Sequence, residues 1–382
     1  MSGPYHIAFL SPNRGQIGEA YVVPTLARAL AARGHRVDLL RVWKEWEGVD
    51  LGVQNNPVRV VNLGTRRLLP VLPSVSRISS WANYRIQGAL MAGAMMPGFV
   101  RYLRRERPDF LVARMQTMAS IIAKGLSRND TKLVLSMAGM PRSSGYRNFL
   151  WPRLYPRADA FVAPAESVAA VAAERANMDS DRFDVIPNPV ISERVLSLSE
   201  EPVDHAWFGD PGHPLVIAVG RLTRQKDFPT LVRAMARVRE KVPARLLIVG
   251  EGEGEHRGLI DGLTTELGLH DAVQLHGFDP NPYKYMRAAD LFVMSSEWEG
   301  PGHVLIEAQA LGTPAVSTDC PAGPRDTLLD GRAGLLVPVG DSEAMADAII
   351  ESLTNREAAQ QRAEVGLKNR DSYFPEHVAA RW

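Results

Sequence analysis

The sequence predicts an α/β protein of two doubly wound domains, each a parallel sheet covered by helices, with a cleft between them. Three observations predict it. The chain has 382 residues, more than one ordinary core accommodates and suited to two domains. Short apolar runs alternate with helical patterns along its length, which is how βαβ units read. The alternation restarts after a stretch rich in Glu, Pro and Gly, from Ser192 to Pro214. Apolar residues make up 45% of the chain and charged residues 23%. That globular balance excludes a disordered chain and a coiled-coil rod.

In the first half, HIAFLS is an apolar strand closed by the turn residues Pro12, Asn13, Arg14 and Gly15. The run AYVVPTLARALAARG follows, with Leu26, Ala27 and Leu30 at helical spacing and Gly34 as the stop. HRVDLLRV is a second strand, and FLVAR, KLVLSM, AFVAP and FDVIPN are further ones. Between them, Trp81 to Arg107 is a long helical stretch that sets Met91, Met95, Met96 and Phe99 beside Arg101, Arg104 and Arg105. It reads as a core helix whose basic last turn complements the helix dipole, or as a segment lying on a membrane surface. The boundary falls at Ile186 to Val190, so residues 1–190 form the first domain and residues 191–365 the second. The second half supplies the strands PLVIAVG, ARLLIVG, AVQLHG, LFVMSS, PAVSTD and GLLVPV.

Several classes drop out. The one cysteine, Cys320, excludes an intramolecular disulfide framework and a Cys-rich zinc site, and fits a reducing cytoplasm. The opening YHIAFLSPNRG reads as a buried strand, not a signal peptide. The longest apolar run, Gly88 to Val100, is 13 residues and contains Pro97, short of the roughly 18–20 that a spanning helix needs. Residues 1–190 hold 25 Lys and Arg against 14 Asp and Glu, and residues 191–382 hold 19 against 29. A basic half suits a phosphate-rich acceptor or an anionic membrane, although weak attraction between the halves explains the split as well. The arginines are scattered and no recognition motif accompanies them, so nucleic acid is not an expected partner.

The strongest constellation is SSEWEGPGHVLIEAQALGTPAVSTDCPAGP, Ser295 to Pro324. A strand ends in a polar loop, Glu299-Gly300-Pro301-Gly302-His303, and a helix starts near Val304 with Glu307 in its first turn. The glycines let backbone approach a ligand closely, and a helix N-terminus favours a phosphate by about 0.3–1 kcal/mol. Both carboxylates can accept hydrogen bonds from sugar hydroxyls. The second piece is GRLTRQKDF, where a strand ends at Gly220 and Arg221 and Lys226 follow. Two cations at a strand's C-terminal end can neutralise a diphosphate leaving group. The first turn, with Gly15, can offer backbone N–H groups to a phosphate from the opposite wall. The polar loop Pro141 to Ser144, with Arg142, Tyr146 and Arg147 close by, is placed to touch an acceptor. Gly250 to Gly254 mimics a nucleotide loop but lacks G-x-G-x-x-G spacing, and reads as a turn. Asp179-Ser180-Asp181 resembles an Asp-x-Asp metal motif and reads as a solvated loop. The nine histidines form no metal-ligand cluster, so no metal site is expected.

On these motifs the chain resembles the retaining, nucleotide-sugar-dependent glycosyltransferases of the two-domain GT-B fold, the family of sucrose synthase and bacterial mannosyltransferases. The likeness is strongest over residues 186–345. Glu299 and Glu307 match the family's E-x7-E motif, and Gly220, Arg221, Leu222 and Lys226 its GRL-x-x-x-K segment. IPNPV, the LFVMSS strand and STDCPAGPRD look like exopolysaccharide and lipid-linked-oligosaccharide members. The resemblance implies retaining sugar transfer without an obligatory metal or cofactor, the co-substrate being a nucleoside diphosphate sugar, with a UDP-sugar expected. Arg221 and Lys226 would hold the diphosphate, Glu307 the ribose and Glu299 the transferred sugar. The base would rest near Gly277 and Phe278, and backbone at Gly302, His303 and Val304 would meet sugar and phosphate. The acceptor would be a glycan or lipid-linked molecule at the cytoplasmic membrane face, and residues 366–382 would cross back to the first domain. Many members carry a histidine after a first-domain strand, where this chain has Met137 and Ala138. A sugar-nucleotide epimerase and a catalytically inactive donor-binding partner are the competing readings.

Overall fold

Short apolar runs, most of them buried along nearly their whole length, form two separate parallel sheets. The computed structural model describes residues 3–12, 17–42, 51, 58–63, 80–140, 145–252 and 254–382, and of residues 17–20, 80–89 and 146 the backbone alone. The first sheet comprises β1 (His6–Leu10), β2 (Arg36–Arg41), β3 (Arg59–Asn62), β4 (Phe110–Ala113), β5 (Lys132–Ser136), β6 (Ala160–Ala163) and β7 (Phe183–Val185). Its order is β3-β2-β1-β4-β5-β6-β7, with every pairing parallel. The second comprises β8 (Leu215–Val219), β9 (Arg245–Val249), β10 (Val273–Gly277), β11 (Leu291–Met294), β12 (Ala315–Thr318) and β13 (Leu335–Val337). It is also parallel throughout, in the order β10-β9-β8-β11-β12-β13. Each sheet reverses its strand order once, between β1 and β4 and between β8 and β11. Ligands in such sheets bind at those reversals, outside the strands' C-terminal ends.

All six predicted strands of the second half are present. In the first half β3 escaped prediction, because RVVN is a four-residue edge with Arg59 and Asn62 exposed and no alternation long enough to notice. Helices cover both faces of the second sheet. Val216, Leu246 and Ile248 pack with Leu231 and Met235 on one side, and Ile217, Leu247 and Phe292 pack with Leu305 on the other. Burial on both faces explains why these strands are continuous apolar runs.

The chain divides into two compact units, Met1–Pro164 with Ala169–Ile186 and Val378–Trp382, and Ala165–Val168 with Pro187–His377. The main break thus falls at Ile186, ahead of Val190, and Ala165 with the first three residues of the helix Glu166–Ala176 belongs to the second unit. The returning segment is shorter than residues 366–382, and that stretch is a 3-10 turn, Arg370–Tyr373, followed by the short helix Pro375–Arg381. Trp382 lies 6.2 Å from the Phe9 ring, and Val378 and Ala379 join the first core.

The long helix is Ser80–Glu106. Met91, Met95, Phe99, Tyr102 and Leu103 are buried and Met96 is half-buried, so most of its Met-bearing face packs into the core. Its C-terminal turn is locked at the N-terminal end of the first sheet. There the buried Asp38 accepts hydrogen bonds from Arg59 at 2.6 and 2.9 Å and from Tyr102 at 2.6 Å, and pairs with His6 at 2.8 Å. Burial alone would raise the Asp38 pKa, but these partners hold it well below the usual carboxylate range.

Candidate active site

The site grows from two loops at the reversal of the second sheet. β8 and β11 are parallel neighbours, Leu291 against Val216, so the chain leaves both at the same edge. After β8 come Gly220 and the loop to Asp227, with a 3-10 turn at Arg224–Lys226. After β11 come Ser295 to Gly302, then the helix His303–Ala310.

Side chains and backbone zip the two loops together. Lys226 Nζ lies 2.6 Å from Glu299 Oε1, and Ser296 Oγ donates to that same oxygen at 2.7 Å. Ser295 Oγ donates to the Lys226 carbonyl at 2.7 Å, and Gln225 Nε2 to the Trp298 carbonyl at 3.0 Å. The Glu297 amide donates to the Gln225 carbonyl at 2.8 Å. Both members of the Lys226–Glu299 pair are largely withdrawn from solvent, at 14% and 9% side-chain exposure. Arg221 is exposed. Glycines hold the first loop from below, since a Cβ at Gly250 would stand 1.9 Å from the Gly220 carbonyl oxygen. That contact, with the Leu222 amide donating to the Glu251 carbonyl at 2.9 Å, gives Gly250 and Glu251 a supporting part.

The helix starts at His303, one residue earlier than expected, so Glu307 sits in its second turn. Burial pushes the Glu307 carboxyl up to about 8, against the opposing pull of a 3.5 Å hydrogen bond from Tyr283 and of the Lys226 charge. The folded protein therefore keeps Glu307 neutral over a range where the unfolded chain ionises it. The stabilising contribution is full below the ordinary value of 4.5 and is lost as pH rises toward about 8. Glu307→Gln, a permanent mimic of the neutral acid, should match the parent protein in thermal unfolding at pH 4.5 and exceed it at pH 8.5. Each kcal/mol recovered corresponds to about 2–4 °C in Tm.

His303 is fixed by Asn188, whose Nδ2 lies 2.9 Å from His303 Nε2. With the amide as donor, Nε2 is the unprotonated ring nitrogen. Asn188 is 2% exposed, and it enters from IPNPV, which the sequence marks only as a boundary. The loop Cys320–Arg325 backs the second loop. A Cβ at Gly323 would stand 1.9 Å from the Gly300 carbonyl oxygen, and Thr327 Oγ1 donates to the Pro301 carbonyl at 3.3 Å. Ser167 Oγ donates to Asp326 and accepts from the Gly323 amide at 2.8 Å. At the neighbouring strand end, Gly250 donates to the Gly277 carbonyl at 2.8 Å, and the following Phe278 is 57% exposed.

The structure thus unites Gly220, Lys226, Glu299, Gly300, Gly302, His303, Val304 and Glu307 in one loop cluster, with Gly277 and Phe278 on the same sheet edge. Ser296, Asn188, Tyr283, Gly323 and Ser167 were not singled out; Ser296, Gly323 and Asn188 lie inside quoted segments, and Tyr283 and Ser167 stand outside any motif. Gly15 and Arg142 lie outside the described residues, as does the Tyr146 side chain. Arg147 is on the helix Gly145–Leu154 of the first unit. Met137 is buried, its amide donating to the Val162 carbonyl at 2.8 Å. Asp179 caps a 3-10 turn by accepting from the Asp181 amide, as a solvated turn would. Among the described residues no helix is long and apolar enough to cross a membrane.

The family model for Glycosyltransferase Family 4 matches residues 18–194, and that for Glycosyl transferases group 1 matches residues 204–369. The chain is 38% identical over 165 residues to the lipopolysaccharide core biosynthesis glycosyltransferase LpsE of Rhizobium meliloti, spanning 43% of this chain and 47% of that one. It is 30% identical over 251 residues to an N-acetylgalactosamine-N,N'-diacetylbacillosaminyl-diphospho-undecaprenol 4-alpha-N-acetylgalactosaminyltransferase of Campylobacter jejuni, spanning 63% and 66%. The chain therefore matches about half to two thirds of the length of these two relatives. Anabaena Alr3699/HepE, solved in complex with UDP and glucose, shares the fold with a TM-score of 0.74 over 98% of this chain and 97% of that one, at 18% identity. With both sheets, their order and both matched regions accounted for, the fold is GT-B and the chain belongs to the glycosyltransferases that join a family 4 region to a group 1 region.

Proposed function

We propose that the protein transfers a sugar from a nucleoside diphosphate sugar, with a UDP-sugar as donor, to a glycan or lipid-linked acceptor in lipopolysaccharide or exopolysaccharide synthesis, retaining the anomeric configuration and using no obligatory metal. The observation that carries it is the Lys226–Glu299 pair, withdrawn from water at the reversal between β8 and β11 and beside the half-buried Glu307. A largely desolvated ammonium held by a carboxylate is a ready site for a diphosphate. As the glycosidic bond lengthens, negative charge builds on the leaving oxygen, and Lys226 and Arg221 stabilise it without a metal's charge. Glu299, released from Lys226, accepts a hydroxyl of the transferred sugar. Glu307 takes the ribose hydroxyls, and Phe278 offers its face to the base. The names of the relatives and the UDP bound in the Anabaena structure support the donor and pathway class.

The test is thermal unfolding and slow donor hydrolysis with UDP-, GDP- and ADP-sugars, in EDTA and again with added magnesium. A donor at a hundredfold excess over its Kd should stabilise the protein by about 2.7 kcal/mol. The expected result is a shift with UDP-sugars that EDTA does not abolish. A shift only with magnesium would remove the metal-free mechanism, and no shift with any donor would remove the assignment.

A further inference from the structure

We propose that the protein docks on an anionic lipid bilayer through the outer face of the helix Thr117–Ser127. The proposal concerns where the protein sits and stands apart from the donor chemistry, resting on the proposed function only for the sense of bringing enzyme and lipid-linked acceptor together.

This helix is apolar on both sides. Its inner face buries Ala119, Ser120, Ile121 and Ala123. Its outer face carries Ile122 and Leu126, 48% and 49% exposed and one turn apart, with Gly125 exposed beside them. A surface helix ordinarily turns charged residues to water. Lys124 is the only charged residue in this one, and it is drawn aside to Asp159 at 3.5 Å. Cations instead border the stripe from the neighbouring helix. Arg104 Nη2 donates to the Leu126 carbonyl at 2.8 Å, which places its guanidinium at the stripe's edge. Arg101 and Arg105 are exposed on that same helix, and Arg128 is exposed just past Leu126. Residues 51–105 contain eight arginines and no Asp or Glu.

The combination selects the partner. Two exposed apolar side chains are too few for a stable interface with a second copy, which buries about 800 Å² per partner. An interfacial helix needs only to sink a narrow apolar face about 5–10 Å into the headgroup region. Arginines around it then add attraction to anionic headgroups, about fivefold in binding for each one near the surface. The Met face of the long helix, buried in the core, takes no part.

The test is flotation of the full chain with phosphatidylcholine vesicles and with vesicles containing one quarter phosphatidylglycerol. Binding should be at least about tenfold tighter to the anionic vesicles and should weaken from 0.1 to 0.5 M salt, as the screening length falls below about 10 Å. Ile122→Glu with Leu126→Glu should lower it at least about tenfold, and Arg101→Glu with Arg105→Glu at least about 25-fold. An unchanged donor-induced shift in Tm in each variant shows that it is folded. Equal binding to both vesicles, or variants that bind like the parent, would overturn the proposal. So would a dimer in gel filtration that Leu126→Glu dissolves, since a second copy would then cover the stripe. A parent protein that responds to donor but binds neither vesicle sinks this proposal alone, and one that binds anionic vesicles but responds to no donor sinks only the donor assignment.

Discussion

Lys226→Ala is expected to reduce sugar transfer by about 10²–10³-fold or more, the scale of removing one preorganised charge partner from a transition state. It should also destabilise the protein. Glu299 is 7% exposed, and without Lys226 Nζ at 2.6 Å its charge would lean on the 2.7 Å hydrogen bond from Ser296 Oγ. Breaking a buried ion pair by removing one member costs about 3–5 kcal/mol. The two losses are separable. The double variant Lys226→Met with Glu299→Gln removes both charges and should recover most of the thermal stability while leaving transfer as low as in the single variant. A double variant that recovers transfer would show that the ammonium serves only to hold the loops together.

Gly323→Ala should be the most damaging change outside the charged residues. The backbone there has φ +96°, a conformation that L side chains rarely adopt, and the new methyl would stand 1.9 Å from the Gly300 carbonyl oxygen. Backbone cannot swing aside as a side chain can. The Glu299–His303 loop must move, and it carries both the carboxylate and the helix start. The conformational strain alone is about 1–3 kcal/mol. Because catalytic groups tolerate little displacement, transfer should fall by about 10²-fold, with unfolding at a lower Tm. Ser167→Ala, which removes the hydroxyl that accepts from the Gly323 amide, should raise the donor KM with a smaller change in kcat. A Gly323→Ala protein with normal donor affinity would show that the Cys320–Arg325 loop is not what holds the donor loop.

The residues explain what the sequence revealed and what it withheld. β8, β9, β11 and β12 were legible because strands buried on both faces must be continuous apolar runs. β3 was not, since an edge strand needs only one good face. Glu299, Glu307 and Lys226 were legible because glycines and charges cluster visibly in a short span. Their pairing was not, because Lys226 and Glu299 are 73 positions apart and only the parallel neighbouring of β8 and β11 brings them together. Asn188, Ser167 and Tyr283 act through hydrogen bonds to residues far away in the chain, and a lone polar residue carries no pattern. The long helix misled in the other direction. Methionines beside arginines suggest a lipid face, yet helical geometry turns the methionines inward, and the apolar stripe that faces water is on the following helix.

The placement of Val378–Trp382 has a consequence for synthesis. These residues pack against β1 and its neighbours, with Trp382 near Phe9 and Arg381 Nη2 donating to the Val185 carbonyl at 2.5 Å. They follow the whole of the second unit in the chain. As the polypeptide emerges from the ribosome, the first domain must therefore wait, its core uncapped, until nearly 200 further residues have been made. At about 5–20 residues per second that interval is on the order of 10–40 s. During it the apolar surface around Phe9 is open to other chains. A nascent fragment released at the Ile186 break should bind chaperones and aggregate more readily than the finished protein, although it contains every strand of its own sheet.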